Sequence, residues 1–333
     1  YTNCNIHNNE RCGVEIQDSA SGTFSNCDIH NNTLQGVSAC GDAKGTFKNC
    51  QIHGNNSNGI WIYGNAAPVV EKCTIQDNKT ENMNKPGIVV SGDSKPSISN
   101  CEICGHLSDG IWEKERASGT YTNCNIHNNE QRGVEIQDSA SGTFKNCQIH
   151  DNKRSGIWIR EKAAPVVEEC KIYNNKTEGE LYSGILADDD STPQINRCEI
   201  SGHLSEGIWE RKQACGTYTN CNIHNNEQRG VAIQDTASGT FSNCEIHNNT
   251  LQGILACRDA KGTFQNCHVH DNKQNGLHIY EKAAIVVKGC KIRNNKTEGV
   301  NYPGVVVSNQ AAPQISNCEI SGHLSYGIWI NDN

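Results

Sequence analysis

The chain has 333 residues, a formal net charge of −8 at pH 7 and a mean hydropathy of −0.65. Acidic and basic residues are interspersed along it, so it offers no basic stripe of the kind that binds nucleic acid. It also contains no run of about 18 apolar residues, which argues against a membrane-spanning helix. The composition therefore predicts neither a nucleic-acid partner nor a membrane partner.

One cysteine recurs along the whole chain at an almost constant interval. Successive members are 23 residues apart ten times and 28 residues apart three times. A period of 20–50 residues is typical of a solenoid, in which each repeat packs against its neighbours. The fourteen members are Cys4, Cys27, Cys50, Cys73, Cys101, Cys124, Cys147, Cys170, Cys198, Cys221, Cys244, Cys267, Cys290 and Cys318.

Three short segments accompany each repeated cysteine in chain order. An aliphatic residue follows two positions later, as at Ile6; a Gly-Ile-x-Ile segment comes next, as at 59–62; and a large apolar residue such as Phe24 stands three positions before the next cysteine. Short, alternating and β-branched segments predict strands. Three parallel strands per turn, joined by right-handed crossovers, predict an all-β, right-handed parallel β-helix of about fourteen coils of 23 or 28 residues. A leucine-rich repeat has a similar period, but leucine is too scarce here.

A longer repeat lies above the 23-residue one. We interpret the chain as one domain, 1–333, that contains three duplicated blocks, 1–120, 121–217 and 218–333, each of which opens with Tyr-Thr-Asn-Cys-Asn-Ile-His-Asn-Asn-Glu. The 28-residue coil of each block carries its five additional residues at the same corner, within 78–86, 175–183 and 295–303. Such insertions are typical of a binding face, although an ornamental surface loop explains them equally well.

The repeated cysteines and asparagines are interpreted as scaffold. The cysteines share one inward slot, where a free thiol behaves as a small buried apolar group. This interpretation favours a reducing intracellular compartment over secretion, while the sequence leaves the compartment open. Asparagine precedes the cysteine in ten coils and recurs five residues after it, which predicts left-handed corners and ladders of amide hydrogen bonds.

The tryptophans are the predicted binding residues. All five stand in the outward slot of the Gly-Ile-x-Ile strand, directly after its first aliphatic residue: Trp61, Trp112, Trp158, Trp209 and Trp329. An exposed apolar stripe usually marks an interaction site, and aromatic rings suit the apolar faces of sugars. We therefore predict a face that binds a protein or a polysaccharide. The alternative is that inserted loops or a flanking domain cover the stripe.

Two other outward patterns give weaker signals. Histidines three residues after the cysteine, such as His127, are of a type that binds Zn²⁺ or Ni²⁺. The sequence suggests no carboxylate or thiol beside them, however, so we predict no metal site and no cofactor. Asp188–Asp190 is the one dense acidic run, and its neighbours in adjacent coils, Glu161, Lys162 and Lys212, form no acidic pair.

Catalysis depends on a local break in the repeat, and no such break is visible. We therefore predict no catalytic residue, and we favour a non-catalytic recognition or scaffold protein. The alternative is a carbohydrate-active enzyme, namely a polysaccharide lyase, hydrolase or epimerase that acts on a polyuronide. Both functions remain open at this stage.

The order Gly-Ile-x-Ile, Pro-x-Ile and Cys/Asn-x-Ile-x-x-Asn resembles the right-handed β-helix repeats of the carbohydrate-binding and sugar-hydrolase (CASH) class, which occur in NosD-type periplasmic proteins, alginate epimerases and pectin-degrading enzymes. The segments GVEIQDSASGTFKNCQIHDNKRSGIWI and AAPVVEECKIYNNK are most similar to the β-helix of F-box proteins that recruit substrates to a ubiquitin ligase. The resemblance covers the whole chain and implies fold more than function. The chain contains no F-box, no zinc-finger segment and no Asp-Pro-His motif of the epimerases.

The first and last coils have no atypical capping sequence. Tyr1 stands in a core slot, and Gly327–Ile330 is an ordinary strand. Uncovered ends of a β-helix expose unpaired strand backbone and apolar side chains. We therefore expect that the chain continues beyond both ends, or that copies associate end to end.

Overall fold

The structure is a computed structural model that describes residues 1–79, 85–176, 182–296, 300 and 302–331. Every regular element in these residues is a β-strand of three or four residues, and the described part contains no helix that is long and apolar enough to cross a membrane. The predicted all-β parallel β-helix of about fourteen turns is therefore confirmed. Most of the additional residues of the 28-residue coils lie outside the described residues.

The strands are numbered in chain order. The first 21 are β1 (Asn5–His7), β2 (Val14–Ile16), β3 (Thr23–Ser25), β4 (Asp28–His30), β5 (Val37–Ala39), β6 (Thr46–Lys48), β7 (Gln51–His53), β8 (Ile60–Ile62), β9 (Val69–Glu71), β10 (Thr74–Gln76), β11 (Ile88–Val90), β12 (Ser97–Ser99), β13 (Glu102–Cys104), β14 (Ile111–Glu113), β15 (Thr120–Thr122), β16 (Asn125–His127), β17 (Val134–Ile136), β18 (Thr143–Lys145), β19 (Gln148–His150), β20 (Ile157–Ile159) and β21 (Val166–Glu168).

The remaining strands continue the same order. They are β22 (Lys171–Tyr173), β23 (Ile185–Ala187), β24 (Gln194–Asn196), β25 (Glu199–Ser201), β26 (Ile208–Glu210), β27 (Thr217–Thr219), β28 (Asn222–His224), β29 (Val231–Ile233), β30 (Thr240–Ser242), β31 (Glu245–His247), β32 (Ile254–Ala256), β33 (Thr263–Gln265), β34 (His268–His270), β35 (Leu277–Ile279), β36 (Val286–Lys288), β37 (Lys291–Arg293), β38 (Val305–Ser308), β39 (Gln314–Ser316), β40 (Glu319–Ser321) and β41 (Ile328–Asn331).

The chain divides into two compact units. Unit 1 contains Tyr1–Trp158 and Lys162–Lys171, and unit 2 contains Ile159–Glu161 and Ile172–Asn333. The interpretation of the chain as one domain with three duplicated blocks stays a prediction from the sequence.

Each unit is built from three parallel sheets to which every third strand contributes. In unit 1, sheet I has the order β1-β4-β7-β10-β13-β16-β19, sheet II the order β2-β5-β8-β11-β14-β17-β20 and sheet III the order β3-β6-β9-β12-β15-β18-β21. In unit 2 the orders are β25-β28-β31-β34-β37-β40, β23-β26-β29-β32-β35-β38-β41 and β24-β27-β30-β33-β36-β39. Equivalent residues pair across neighbouring strands, as Ile29 does with Ile52. Like side chains therefore stack in columns, both inside and outside each unit.

The core consists of these inward columns. Middle residues of sheets I and III, such as Ile149 and Phe144, have no exposed surface. Aromatic rings on neighbouring strands of sheet III stack face to face, with centroids 4.4 Å apart for Tyr121 and Phe144 and 4.8 Å apart for Phe241 and Phe264. Stacking at this distance is favourable for aromatic pairs and matches the spacing of the strands.

The predicted asparagine ladder is present at the corner after sheet I. The side-chain amide of Asn32 donates to Oδ1 of Asn55 at 2.9 Å, and the backbone N–H of Asn32 donates to the same oxygen at 3.1 Å. The ladder is interrupted in the coils that follow the additional residues, where His106 and His203 stand in place of asparagine and are completely buried. At the other corner, the asparagine before the cysteine has a positive φ, for example +54° at Asn123.

The cysteine column is buried as predicted. All nineteen cysteines are free, and twelve of the fourteen repeated ones are buried, while Cys4 and Cys318 of the terminal coils are partly exposed. The Sγ atom of Cys147 lies 3.5 Å from the carbonyl oxygen of Tyr121 and 3.4 Å from that of Lys145. Each buried thiol thus has backbone acceptors, which makes the column compatible with an otherwise apolar core.

Two inward positions depart from the alternating pattern. Glu113 and Glu210 occupy the slot that Ile62 and Ile136 occupy in other coils, and both are completely buried. The Gly-Ile-x-Ile pattern predicts an aliphatic residue in this slot. Buried carboxyl groups of this kind are costly unless they are protonated or hydrogen-bonded.

Candidate binding face

The five predicted tryptophans lie on the outer face of sheet II, each at the second position of its strand. Ile60 and Ile62, which flank Trp61, are buried in the core, so the indole ring projects from the opposite face. The rings of Trp61, Trp112, Trp158 and Trp209 are nevertheless only partly exposed, and Trp329 is the one with high exposure, at 45%. The rings therefore lie on the predicted outer face, but four of them are less exposed than an open apolar stripe implies.

The tryptophans do not form a continuous stripe. In unit 1 the outward column of sheet II runs Trp61, Val89, Trp112 and Glu135. In unit 2, Trp209 is followed by Ala232, Leu255 and His278, and Trp329 is next to Val306. Trp61 and Trp112 are two strands apart, which corresponds to about 9.6 Å at the usual strand spacing. One valine therefore separates Trp61 from Trp112, whereas the carboxylate residue Glu135 separates Trp112 from Trp158, which is also two strands away.

A groove lies between these two rings and is referred to below as the tryptophan groove. Its volume is about 340 Å³. Its lining combines aromatic and aliphatic side chains with amide, hydroxyl, ammonium and carboxylate groups, contributed by Asn58, Trp61, Tyr63, Gly64, Lys85, Val89, Ser91, Gly92, Trp112, Lys114 and Glu115. An apolar floor with a few polar groups around it is the usual composition of a ligand site.

Neighbouring side chains fix the rings of the groove. The ring of Tyr63 stacks on that of Trp61 with centroids 4.5 Å apart, and the ammonium group of Lys114 lies 4.8 Å from the centroid of Trp112. Such cation–π and stacking contacts restrain an indole ring that is otherwise free on a surface. The Nε1 atom of Trp112 is buried and makes no hydrogen bond with the described residues. The accessible part of this side chain is therefore aromatic carbon.

Further cations pack on the other half-buried tryptophans. The guanidinium group of Arg132 lies 4.1 Å from the ring centroid of Trp158, and it also forms an ion pair with Glu135 at 2.9 Å. In unit 2 the guanidinium group of Arg211 lies 4.8 Å from the ring of Trp209. A cation thus lies beside each of Trp112, Trp158 and Trp209 and restrains the indole ring.

Unit 2 carries a different apolar patch on the same sheet face. Ala232, Leu255 and Cys257 are almost fully buried, and Trp209 and Tyr280 pack against them. The pKa of the Tyr280 hydroxyl is raised to about 12, mainly because this side chain is partly buried and also because of its hydrogen bond with Cys257. This patch is closed by its own side chains, so it differs from the open tryptophan groove.

The histidine column on sheet I is ordered, and it has carboxylates beside it. The imidazoles of His127 and His150 stack with centroids 5.0 Å apart. Nε2 of His127 lies 3.1 Å from a carboxylate oxygen of Glu102, and Nε2 of His270 lies 3.0 Å from one of Glu245. The expectation that no carboxylate lies next to these histidines is therefore wrong. Glu102 pairs across the strands with Asn125, two positions before His127, so the glutamate lies diagonally across from the histidine. A glutamate side chain is long enough to reach the imidazole across this diagonal.

Two groups of side chains in the described residues are close enough to share a metal ion. They are Glu102, Cys104 and His127 in unit 1, and Glu245, His268 and His270 in unit 2. In the first group, burial and the negative charges of Glu102 and Asp77 raise the pKa of the Cys104 thiol to about 11, so the thiol keeps its proton at neutral pH. The second group has no such obstacle, since its ligands are imidazoles and a carboxylate.

The acidic run of unit 2 faces a second groove of about 490 Å³. Asp189, Asp190, Asp235 and Asp259 line it together with Lys212, Gln213, Thr236 and Arg258. The coil that follows the run contributes Lys212 and Gln213, while Asp235 and Asp259 reach the same groove from later coils. Asp189 is paired with Lys212 at 3.3 Å and Asp235 with Arg258 at 3.3 Å. These two carboxylates are thus already neutralised by neighbouring cations.

A family model described as a right-handed β-helix region matches residues 1–84, 74–180 and 180–304 of the sequence. The chain belongs to this right-handed β-helix family. No curated protein sequence matches it. The match agrees with the columns and parallel sheets described above, and it does not distinguish a finer relationship to the CASH, NosD-type or F-box groups.

Solved structures of other proteins share this fold. The periplasmic alginate epimerase AlgG superposes with a TM-score of 0.68 at 9% identity, covering 92% of this β-helix and 76% of that chain. The A-module of the Azotobacter vinelandii mannuronan C-5 epimerase AlgE4 gives 0.54 at 13% identity, covering 93% and 89%. A chain of the Vag8–C1 inhibitor complex gives 0.67 at 10% identity, covering 99% of both chains. At such low identity these likenesses establish the fold alone.

Several residues of chemical interest in this β-helix were not singled out from the sequence. Glu113 and Glu210 are acids in an inward slot, and this departure from the Gly-Ile-x-Ile pattern was visible in the sequence. The sequence His268-Val269-His270 places two histidines on one face of a strand, which is also a visible signal. The nearby carboxylate of Glu245 belongs to the preceding coil and becomes a neighbour only through the register of the strands.

Proposed function

We propose that this β-helix is a non-catalytic recognition protein that binds a polysaccharide chain in the tryptophan groove. The observation that carries the proposal is the placement of Trp61 and Trp112 on either side of Val89, with an open volume of about 340 Å³ between them. Aromatic faces separated by about two strand spacings suit a ligand that presents flat apolar faces at intervals.

The composition of the groove favours a sugar over a protein side chain. Asn58, Ser91, Lys114 and Glu115 line the groove, and their donors and acceptors suit the hydroxyl groups at the edges of a sugar ring. The accessible part of Trp112 is aromatic carbon, which suits the ring face. Lys114 is paired with Glu115 at 2.9 Å, and Lys85 adds a further positive charge to the lining, so an acidic polysaccharide is the favoured class. A protein partner remains the alternative occupant of the same groove.

The sequence resemblance supports a recognition role without identifying the partner. The repeats are similar to those of the CASH class, some of which act on carbohydrates, and most similar to the β-helix of substrate-recruiting F-box proteins. Both comparisons are compatible with a rigid face that presents side chains to a long partner. We propose this finer relationship on the repeat segments alone.

The first experiment combines a glycan array with calorimetry on the array hit. We expect Trp61→Ala and Trp112→Ala each to weaken binding about tenfold, which corresponds to about 1.4 kcal/mol. Trp329→Ala is the matched control, because it removes a tryptophan from the same strand position outside the groove. Thermal unfolding of all three variants confirms that the fold is kept.

Each outcome has a defined meaning. Undiminished glycan binding by the Trp61→Ala, Trp112→Ala double variant would exclude the groove as the site. Absence of any glycan hit, together with capture of a protein that the double variant no longer binds, would replace the polysaccharide with a protein partner.

A carbohydrate-active enzyme is the second candidate, and the acidic groove of unit 2 is the observation that favours it. Asp189, Asp190, Asp235 and Asp259 share that groove with Lys212 and Arg258, as acid–base chemistry on a polyuronide requires. The ion pairs of Asp189 and Asp235 argue against it. Turnover of alginate or pectin that is lost on Asp190→Asn would establish an enzyme. Glycan binding without turnover supports the recognition role.

A further inference from the structure

The cluster of Glu245, His268 and His270 lies on the outer face of sheet I, apart from the tryptophan groove. His268 and His270 flank the fully buried Val269 on β34, so both project outward. The register pairs Glu245 of β31 with His268. Each of the three residues offers one ligand atom, and these atoms all lie within 4.8 Å of one another. We propose that this cluster binds a divalent transition-metal ion such as Zn²⁺.

The distances fit one ion with little movement. Nε2 of His270 lies 3.0 Å from Oε1 of Glu245, and Nδ1 of His268 lies 3.9 Å from the same oxygen. The two imidazole centroids are 4.1 Å apart. Ligand atoms that surround Zn²⁺ tetrahedrally at about 2.0–2.2 Å are roughly 3.4 Å apart. This separation lies between the 3.0 Å from Glu245 to His270 and the 3.9 Å from Glu245 to His268. Two imidazoles and one carboxylate form a common ligand set for an open transition-metal site.

A second carboxylate orients one of the imidazoles. Nδ1 of His270 lies 2.7 Å from Oδ2 of Asp271. A neutral imidazole has a single N–H group, and when this group donates to Asp271, Nε2 is left with a lone pair. That lone pair faces Oε1 of Glu245, which also has only lone pairs to offer. A cation between the two atoms satisfies both, and a carboxylate–histidine–metal arrangement of this kind is the usual support of a metal site.

The surroundings define the site further. Nε2 of His247 is 2.9 Å from Oδ1 of Asn222, so this neighbouring imidazole is engaged elsewhere. On the other side, Lys291 and Arg293 of β37 pair with His268 and His270. Arg293 forms an ion pair with Glu319, which compensates part of its positive charge.

Unit 1 contains an incomplete copy of the same arrangement. Asp28, Gln51 and His53 stand where Glu245, His268 and His270 stand in unit 2, with the same strand register. Nε2 of His53 is 2.9 Å from Oδ1 of Asp28, but glutamine replaces the second imidazole. The residue after His53 is Gly54, so the orienting carboxylate is missing too. The difference provides a natural control within the chain.

The test is a calorimetric titration of the full chain with Zn²⁺ after removal of bound metal by a chelator. We expect His268→Gln, which introduces the glutamine that the unit 1 copy has at this position, to bind one equivalent less than the wild type. We expect Asp271→Asn to weaken that equivalent about 10–100-fold. Asparagine suits the positive φ of position 271, which is +52°, so the fold should be kept.

Two further variants exclude binding elsewhere, for example at cysteines. Gln51→His should add an equivalent of Zn²⁺ in unit 1, with weaker affinity because no carboxylate follows His53. His150→Gln removes a histidine from the same column at a strand where Gln148, and not a second histidine, stands two positions earlier, and it should leave the stoichiometry unchanged. Equal stoichiometry and affinity for the wild type and His268→Gln would overturn the proposal. If His268→Gln loses an equivalent of Zn²⁺ and still binds the glycan, the metal site is supported independently of the tryptophan groove.

Discussion

Oε1 of Glu210 accepts a hydrogen bond from the hydroxyl group of Tyr218 at 2.9 Å, and both side chains are completely buried in the core of unit 2. The backbone N–H of Gly216 donates to the same oxygen at 2.7 Å. Burial raises the pKa of Glu210 to about 8 in spite of these bonds, because the charged form loses its hydration. Burial also raises the pKa of Glu113, its counterpart in unit 1, to about 7. The core therefore contains two carboxyl groups that are protonated over much of the acidic and neutral range.

These carboxyl groups should make stability fall as pH rises. The ordinary pKa of a glutamate is 4.5, so between pH 4.5 and about 8 the unfolded chain has released a proton that folded Glu210 still holds. The free energy of unfolding should then decrease by up to about 1.4 kcal/mol per pH unit. We expect Glu210→Gln to reduce this slope and to unfold at higher urea concentration than the wild type at pH 8. Parallel pH profiles for the two proteins would contradict the assignment.

His203 should act in the opposite direction at low pH. Its Nδ1 accepts from the backbone N–H of Asn175 at 3.3 Å, and its Nε2 is 3.1 Å from the carbonyl oxygen of Ile172, so the neutral ring satisfies both contacts. Burial lowers its pKa from 6.5 to about 4. As pH falls from about 6.5 to 4, the unfolded chain binds a proton that the folded chain rejects, and stability should decrease by up to about 1.4 kcal/mol per pH unit. Urea unfolding of His203→Asn across this window should show a smaller decrease than the wild type.

The thiols should react at different rates. Cys215 is the exposed cysteine, whereas ladder members such as Cys147 are buried. A thiol reagent should label Cys215 rapidly and the ladder only as fast as the protein opens. The Cys215→Ser variant should lose one rapidly labelled thiol and keep the slow phase, while the partly exposed thiols Cys4, Cys12, Cys40, Cys104 and Cys318 react at intermediate rates. Rapid labelling of most of the nineteen cysteines would contradict the burial.

Replacement within the ladder should cost stability. Cys147→Ser places a hydroxyl group where the carbonyl oxygens of Tyr121 and Lys145 surround the sulfur at 3.5 and 3.4 Å. The shorter serine side chain cannot bond equally well to either acceptor, and we expect a loss of about 1–3 kcal/mol in the free energy of unfolding. Denaturant titration measures it, and Cys215→Ser serves as the control with an expected change near zero.

Gly133 should be intolerant of a side chain because of close backbone approach. A Cβ atom at this position would lie 2.4 Å from Cγ2 of Ile149 and 2.8 Å from the carbonyl oxygen of Gly156. Since the latter belongs to the backbone of the adjacent coil, it cannot move without disturbing the strand pairing. We expect Gly133→Ala to cost about 1–3 kcal/mol, the usual range for overpacking. An unchanged melting temperature of Gly133→Ala would show that the adjacent coil can move away from this position at little cost.

The predicted part of the fold rests on local periodicity. The sequence repeats a cysteine every 23 or 28 residues, with an aliphatic residue two positions after it and a Gly-Ile-x-Ile segment further on. This pattern was sufficient to predict three parallel strands per coil. The asparagine corners followed from the same repeat, because each position in a solenoid meets its own equivalent in the next coil. Ladder contacts such as that of Asn32 with Asn55 therefore needed no knowledge of the tertiary structure.

The outcome for the tryptophans was mixed for a physical reason. Alternation along a strand correctly predicted the face on which Trp61 and Trp112 lie. Exposure depends on side chains that are not in the same strand position, such as Tyr63 and Lys114, whose packing against the rings left these only partly accessible. The groove itself arises because a small residue, Val89, separates the two rings in the column.

The sequence by itself thus determined the repeat, the strands, the inward columns and the side of the sheet on which each tryptophan lies. The tertiary structure alone decided which outward side chains meet diagonally between coils, as Glu245 and His270 do, and which carboxylates are paired with cations. Equivalent positions are stacked by the repeat, whereas diagonal contacts depend on side-chain length and rotamer. Backbone periodicity specifies the first kind of contact and leaves the second to packing.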